Sequence, residues 1–136
     1  MDIRECSMVT DAAFVHLREI KSLNMASCRQ ITNAAFIYLL GIQEFDLWGC
    51  RQVTITDAAF VHLCGIRSLV MRGCRQITDA VFVHLNGIQT LVIAVCRQIT
   101  DAAFVHLRGL QMFDMTCCNQ ATITDAAFVH LRGSTR

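Results

Sequence analysis

The chain has 136 residues, 54% of them hydrophobic, with 12 Lys and Arg set against 11 Asp and Glu and a formal net charge of +1. That length suffices for one domain with a core of its own, and the balanced charge gives no global attraction to nucleic acid or to an anionic membrane. No apolar run approaches a membrane span and Met1-Asp2-Ile3-Arg4-Glu5 does not resemble a signal peptide, so the eight cysteines favour a reduced thiol set and an intracellular, cytoplasmic setting.

In chain order, nearly the same words recur. Thr-Asp-Ala-Ala-Phe or a close variant begins at Thr10, Thr32, Thr56, Thr78, Thr100 and Thr124, in steps of 22, 24, 22, 22 and 24 residues. A fixed period in this range is the signature of a solenoid, whose units bury their apolar faces only by stacking. Between the repeats of this phrase lie short segments with alternating anchors, Leu23/Met25, Phe45/Leu47, Leu69/Met71, Leu91/Ile93 and Phe113/Met115, the spacing of strands with one face inward. After each Thr the spacing becomes helical. Phe14, Phe36, Phe60, Phe82, Phe104 and Phe128 share a stripe with Leu17, Leu39, Leu63, Leu85, Leu107 and Leu131.

Thr78 reads as a helix N-cap, Asp79 meets the positive end of the helix dipole, and Gly87 ends the helix in a left-handed conformation. Each unit is thus one short strand, a tight turn, about two turns of helix and a return loop. The longer units insert Val53-Thr54 and Ala121-Thr122 between strand and helix, where insertions are tolerated.

From Leu63 to Asp79 the pattern Leu-x-x-Ile-x-x-Leu-x-Met-x-x-Cys-x-x-Ile-Thr-Asp resembles a leucine-rich repeat of the cysteine-containing subtype, familiar from F-box substrate receptors. The resemblance covers almost the whole chain, although its repeats are shorter than that family usually shows and no F-box segment precedes them. It implies an α/β fold, a right-handed leucine-rich-repeat solenoid with short parallel strands on the concave face and short helices on the convex face. Residues 1–136 then form a single domain of about five to six repeats without obvious capping units. The implied role is recognition of a protein partner or substrate, without catalysis.

Several ladders invite chemistry. Cys6, Cys28, Cys50, Cys74, Cys96 and Cys118 hold one lattice position; without a Cys-x-x-Cys pair they read as small buried groups with a weak S–H donor for a turn carbonyl, not as a metal or redox array. The resembled family also uses this position structurally. Cys64 and Cys117 lie off the ladder and are expected to be exposed. His16, His62, His84, His106 and His130, with Tyr38 in the second place, lie about 110° from the centre of the apolar stripe, as half-buried flank residues. Arg29, Arg51, Arg75 and Arg97, each followed by Gln, form a row read as solvated and balanced by Asp11, Asp57, Asp79, Asp101 and Asp125. With no aromatic residue interleaved among them, nucleic acid is not an expected partner. The outward helix positions carry Ala and Val (Ala12/Val15, Ala58/Val61 and their equivalents, with Ala34/Ile37) where charge is usual. Rotated helices that partly bury Val are the favoured reading; an apolar convex stripe suited to self-association is the alternative.

The strand positions between the anchors do not repeat. They read Ser22/Asn24/Ala26, Glu44/Asp46/Trp48, Ser68/Val70/Arg72, Thr90/Val92/Ala94 and Met112/Asp114/Thr116, and on a five-stranded sheet they span roughly 20 Å. We take this strip as the recognition surface, comprising Glu44, Asp46, Trp48, Ser68, Val70, Arg72, Thr90, Val92 and Asp114. Trp48 is its anchor, Glu44, Asp46 and Asp114 its acidic ends, and Val70, Val92 and Ala94 its apolar middle. No phosphate loop, nucleophile elbow or His-Glu-x-x-His motif occurs, and no cofactor or metal is expected. Ile3 aligns with Met25 and Cys6 with Cys28, so the chain opens inside a strand and closes near Gly133; end-to-end stacking into a homo-oligomer is the second expectation.

Overall fold

The structure is a computed structural model that describes residues 1–131. Five three-residue strands, β1 (Ser22–Asn24), β2 (Glu44–Asp46), β3 (Ser68–Val70), β4 (Thr90–Val92) and β5 (Met112–Asp114), form one parallel sheet in sequence order. Its register follows the repeat lattice: Leu23 pairs with Phe45, Phe45 with Leu69, Leu69 with Leu91, and Leu91 with Phe113. Asp2 bridges Asn24 in parallel, and the Ile3 amide donates to the Asn24 carbonyl at 2.8 Å. Ile3 thus stands opposite Met25, as the alignment requires. Gly133 lies outside the described residues.

The inward anchors and the helix stripe meet in one continuous core. Leu23, Met25, Leu47, Leu69, Met71, Leu91 and Ile93 are buried from the sheet side, and Phe14, Phe36, Phe60, Phe82 and Phe104 from the other. Phe36 packs edge-on against Phe45, with ring centroids 5.5 Å apart, and stacks at a tilt on Phe60 at 6.0 Å. Such aromatic pairs add to the burial that already dominates the energetics.

The helices differ from an α-helical wheel. Asp11–Leu17, Asn33–Leu39, Asp57–Leu63, Asp79–His84 and Asp101–His106 are 3₁₀ helices, and Asp125–Phe128 is one α turn that continues as 3₁₀ through Val129–Leu131. A 3₁₀ helix rises about 2.0 Å per residue against about 1.5 Å for an α-helix. In so short a repeat the same residues therefore cover more of the return path. Such runs are unusual in isolation; here each packs against the helix of the neighbouring unit or units.

This winding settles the outward positions against the favoured expectation. At three residues per turn, Ala12 eclipses Val15 and Ala58 eclipses Val61, so both point away from the core. Val15, Ile37, Val61, Val83, Val105 and Val129 are 42% to 54% accessible, and the alanines before them are exposed. The convex face therefore carries an apolar stripe. The flank column behaves as expected: Tyr38, His62, His84 and His106 are half-buried, with only the first-unit His16 exposed.

The 24-residue units do more than tolerate their insertions. The Thr54 hydroxyl donates to the Ile31 carbonyl at 3.2 Å and the Thr122 hydroxyl to Ile99 at 3.1 Å. The Thr54 carbonyl also accepts from the Asn33 amide at 3.1 Å. Each insertion thus adds a rung to the preceding unit.

One turn carries strain. Leaving each strand, the Cys amide donates back three residues, as from Cys74 to Met71 at 3.1 Å and from Cys96 to Ile93 at 3.0 Å. The residue before the Cys is left-handed: Gly73 has φ +80°, and Val95 holds the same place at φ +65°. A β-branched side chain there costs about 1–2 kcal/mol. After the entropy lost to a more flexible unfolded chain, Val95→Gly is expected to stabilise the protein by about 1 kcal/mol. A raised urea midpoint for Val95→Gly, and a lowered one for Gly73→Val, would show it.

Candidate recognition surface

Three ladders hold the sheet in shape, and together they absorb most of the polar groups that suggested chemistry. The first is the cysteine ladder. From Cys28 onward each ladder thiol reaches a carbonyl of the preceding unit: Cys28 to Ile3 at 3.0 Å, Cys50 to Met25 at 3.5 Å, Cys74 to Leu47 at 3.5 Å, Cys96 to Met71 at 3.1 Å and Cys118 to Ile93 at 3.0 Å. Burial pushes the Cys50 and Cys96 thiols up to about 12 and raises Cys28, Cys74 and Cys118 as well, so they stay protonated at neutral pH. Cys64 and Cys117 are exposed. A thiol-alkylating reagent at neutral pH should modify Cys64 and Cys117 in the folded protein and reach Cys50, Cys74 and Cys96 only on unfolding, as peptide mass spectrometry can follow.

The second ladder was not legible as such. Asp11 accepts from the Thr32 amide at 2.8 Å, Asp57 from Thr78 at 2.9 Å, Asp79 from Thr100 at 2.7 Å and Asp101 from Thr124 at 2.7 Å. In each case the second carboxylate oxygen takes the same Thr hydroxyl. These bonds hold the Asp101 carboxyl below its ordinary value. The aspartates therefore tie the start of one helix to the start of the next, and they do not neutralise the arginine row. Among the described residues the one ion pair joins Arg4 to Asp2, at 2.8 Å.

In the third ladder, glutamine amides donate to carbonyls of the preceding unit: Gln52 to Cys28 at 2.9 Å, Gln98 to Arg75 at 2.6 Å and Gln120 to Ile99 at 3.0 Å. Arg29, Arg51, Arg75 and Arg97, each one residue before a Gln, are left exposed.

The unlike residues fall where the lattice places them, on one face of the sheet. Glu44, Ser68 and Thr90 form one row in register, and Asp46, Val70, Val92 and Asp114 the next. Glu44 is exposed, while Asp46, Ser68, Val70, Thr90, Val92 and Asp114 are partly covered by their neighbours. Asp46 and Asp114 are also local turn formers: Asp46 accepts from the Trp48 amide and Asp114 from the Thr116 amide, both at 2.8 Å. Asn24 does the same for Ala26, at 3.0 Å. Their carboxylates are thus partly committed to the backbone, and the bonds from Thr116 hold Asp114 below the ordinary range.

The third row contains Ala26, Trp48, Arg72, Ala94 and Thr116. Ala26 and Ala94 are buried, so Ala94 does not belong to an exposed apolar middle; a methyl group is too short to rise above its neighbours. Trp48 is 49% accessible and Arg72 is exposed. Trp48 walls two recesses. One, of about 500 Å³, is lined by Ser27, Arg29, Trp48, Gly49, Arg51 and Gln52. The other, of about 360 Å³, is lined by Asp2, Arg4, Glu5, Ala26, Ser27 and Trp48. Sequence reasoning missed the pairing of Trp48 with Arg29 and Arg51, although lattice arithmetic carries the signal: Arg51 follows Trp48 by three residues, and Arg29 is Arg51 one period back. Among the described residues no three His, Cys, Asp or Glu side chains converge as a metal site, and no helix is long and apolar enough to cross a membrane.

No family model matches the sequence, and no curated protein matches it either. Solved structures do match. The chain is similar to a chain of the Rad7–Elc1 complex from yeast, with a TM-score of 0.71 and 22% identity over 97% of this chain and 38% of that one. It is also similar to a chain of the Toll–Spatzle complex from Drosophila, with a TM-score of 0.59 and 17% identity over 85% of this chain and 20% of that one. This chain therefore spans well under half the length of either. The fold is a leucine-rich-repeat solenoid.

Proposed function

We propose that the chain is a non-catalytic protein-interaction module, a leucine-rich-repeat domain of the cysteine-containing subtype over residues 1–136, that recognises a protein partner or substrate on its concave sheet face. The observation that carries this reading is that the strand side chains on that face differ from unit to unit more than the ladder and flank positions do, around a half-exposed Trp48. Ladders and core are copied because stacking demands it, whereas the exposed strand positions carry no such demand. Both structural neighbours come from complexes of two proteins, which supports the same reading. Glu44, Asp46, Trp48, Ser68, Val70, Arg72, Thr90, Val92 and Asp114 form the surface, with Trp48 as the anchor. The buried, protonated ladder thiols suit a reducing, intracellular setting.

The test is affinity capture from cell lysate with paired variants. Partners held by the wild-type protein are expected to be lost with Trp48→Ala and with Glu44→Arg, and kept with Val61→Asp on the convex face. Capture unchanged by both concave variants, with folding intact by circular dichroism, overturns the reading.

A second reading, self-association through the convex face, is favoured by the exposed Val15, Ile37, Val61, Val83 and Val105 of that stripe. Light scattering across a dilution series tests it. A monomer at high concentration removes it.

A further inference from the structure

We propose that the recess beside Trp48 binds a phosphorylated side chain of the partner's peptide, with phosphate held by Arg29 and Arg51 and an aromatic ring, where the side chain has one, lying on the indole. The proposal rests on the reading of the sheet face as the recognition surface and names the chemistry of its partner.

The case begins with charge left over. The acidic row that was to balance the arginines is taken up by threonines of the next unit, and among the described residues no carboxylate pairs with Arg29 or Arg51. Both line the same recess, at one lattice position in adjacent units. Two planar guanidinium forks lining one recess suit a phosphate dianion, which accepts several hydrogen bonds at once. A single carboxylate can use only one fork fully.

The second component is Trp48. Its half-exposed indole forms a wall of the recess that the arginines line, and a volume of about 500 Å³ exceeds what a phosphate alone requires. Flat aromatic walls favour ring stacking. Small neighbours keep the recess open: Ser27 lines it with a short side chain and Gly49 with none. The recess occurs once because Trp48 occurs once. Arg75 and Arg97 continue the row, but no aromatic residue stands at the Trp48 position of their units, which holds Arg72 and Ala94. A nucleic-acid strand needs successive stacking platforms along its cations, so a single platform favours a single side chain of a peptide.

Trp48 is the one tryptophan of the chain, so its fluorescence reports on the recess directly. The probes are phenyl phosphate, inorganic phosphate and an oligothymidylate, titrated into the wild-type protein and into Arg29→Ala, Arg51→Ala and Arg97→Ala. Phenyl phosphate is expected to change Trp48 emission saturably, with affinity falling about tenfold in each of Arg29→Ala and Arg51→Ala and unchanged in Arg97→Ala. Tighter binding of phenyl phosphate than of inorganic phosphate supports a phosphotyrosine. Equal binding, with the same dependence on arginine, supports a phosphoserine or phosphothreonine. No saturable response, a response indifferent to Arg29 and Arg51, or an oligothymidylate that outcompetes phenyl phosphate overturns the proposal. Partner capture that still depends on Trp48 and Glu44 when phenyl phosphate fails leaves the interaction reading standing and removes only the phosphate.

Discussion

Phe60→Ala is expected to destabilise the protein by about 3–5 kcal/mol, the cost of emptying a fully packed aromatic site. Phe60 is fully buried in the Asp57–Leu63 helix and packs on Phe36 with ring centroids 6.0 Å apart. The site has little freedom to collapse, because the sheet is pinned by hydrogen bonds in register on both sides. In a solenoid each unit touches only its neighbours, so a void at a central unit also weakens the coupling between the two halves. Urea denaturation should therefore show a lower midpoint and a shallower transition. The adjacent Val61 is the control. It is 48% accessible, and Val61→Thr is expected to change stability by less than about 0.5 kcal/mol. A large loss at Val61 would mean that the convex row is covered after all.

The second large effect is expected at the aspartate ladder. Asp57→Ala removes both bonds that the Thr78 amide and hydroxyl make, at 2.9 and 2.5 Å, and leaves a partly buried amide without a partner. The expected cost is about 2 kcal/mol. Asp57→Asn should cost far less, because the chain already contains that arrangement. Asn33 accepts from the Thr56 amide at 2.8 Å and donates its own amide to the Thr56 hydroxyl at 2.8 Å. A comparison of thermal midpoints for the two variants separates the hydrogen-bonding role from a helix-dipole role, since asparagine keeps the bonds and loses the charge. If charge at the helix start were what matters, Asp57→Asn would be nearly as harmful as Asp57→Ala.

The same ladder gives a direction for pH. Asp101 is held below its ordinary value of 3.8 by the hydroxyl and amide of Thr124. A depressed carboxyl contributes stability that is fully present above its unfolded pKa and is lost as pH falls through its lower folded pKa. The protein should therefore keep this contribution at neutral pH and lose it under acid. Thr124→Ala should flatten that part of the acid-denaturation profile.

Most of the architecture was legible because a solenoid writes its own register. The 22- and 24-residue steps located the five strands, the Phe and Leu columns located the core face of the first five helices but not Phe128, which is 49% accessible, and one Cys per turn located the thiols that meet carbonyls of the unit before. Helix type was not legible, because a three-residue spacing between Phe and Leu fits either winding; stacking stabilised the tighter one, and Val61 and its equivalents stayed on the outward side without the rotation that would have buried them. The aspartates were read from their own helix, as partners of its dipole, when their bonds run one period onward. Val95 in a left-handed turn followed the lattice set by Gly73, against its own preference.

Of the candidate surface, the sequence by itself determined which side chains are unlike and, through strand alternation, that they share a face. It did not determine which of them reach solvent. Ala26 and Ala94 are too short to do so, and Asp46 and Asp114 turn back to the backbone. Lattice arithmetic sets Arg29 and Arg51 near Trp48, but it did not determine that a recess opens between them, which depends on the small Ser27 and Gly49. Repetition encodes what every unit must do to stack, whereas a single recess depends on which neighbours happen to be small, charged or aromatic once the units are in contact.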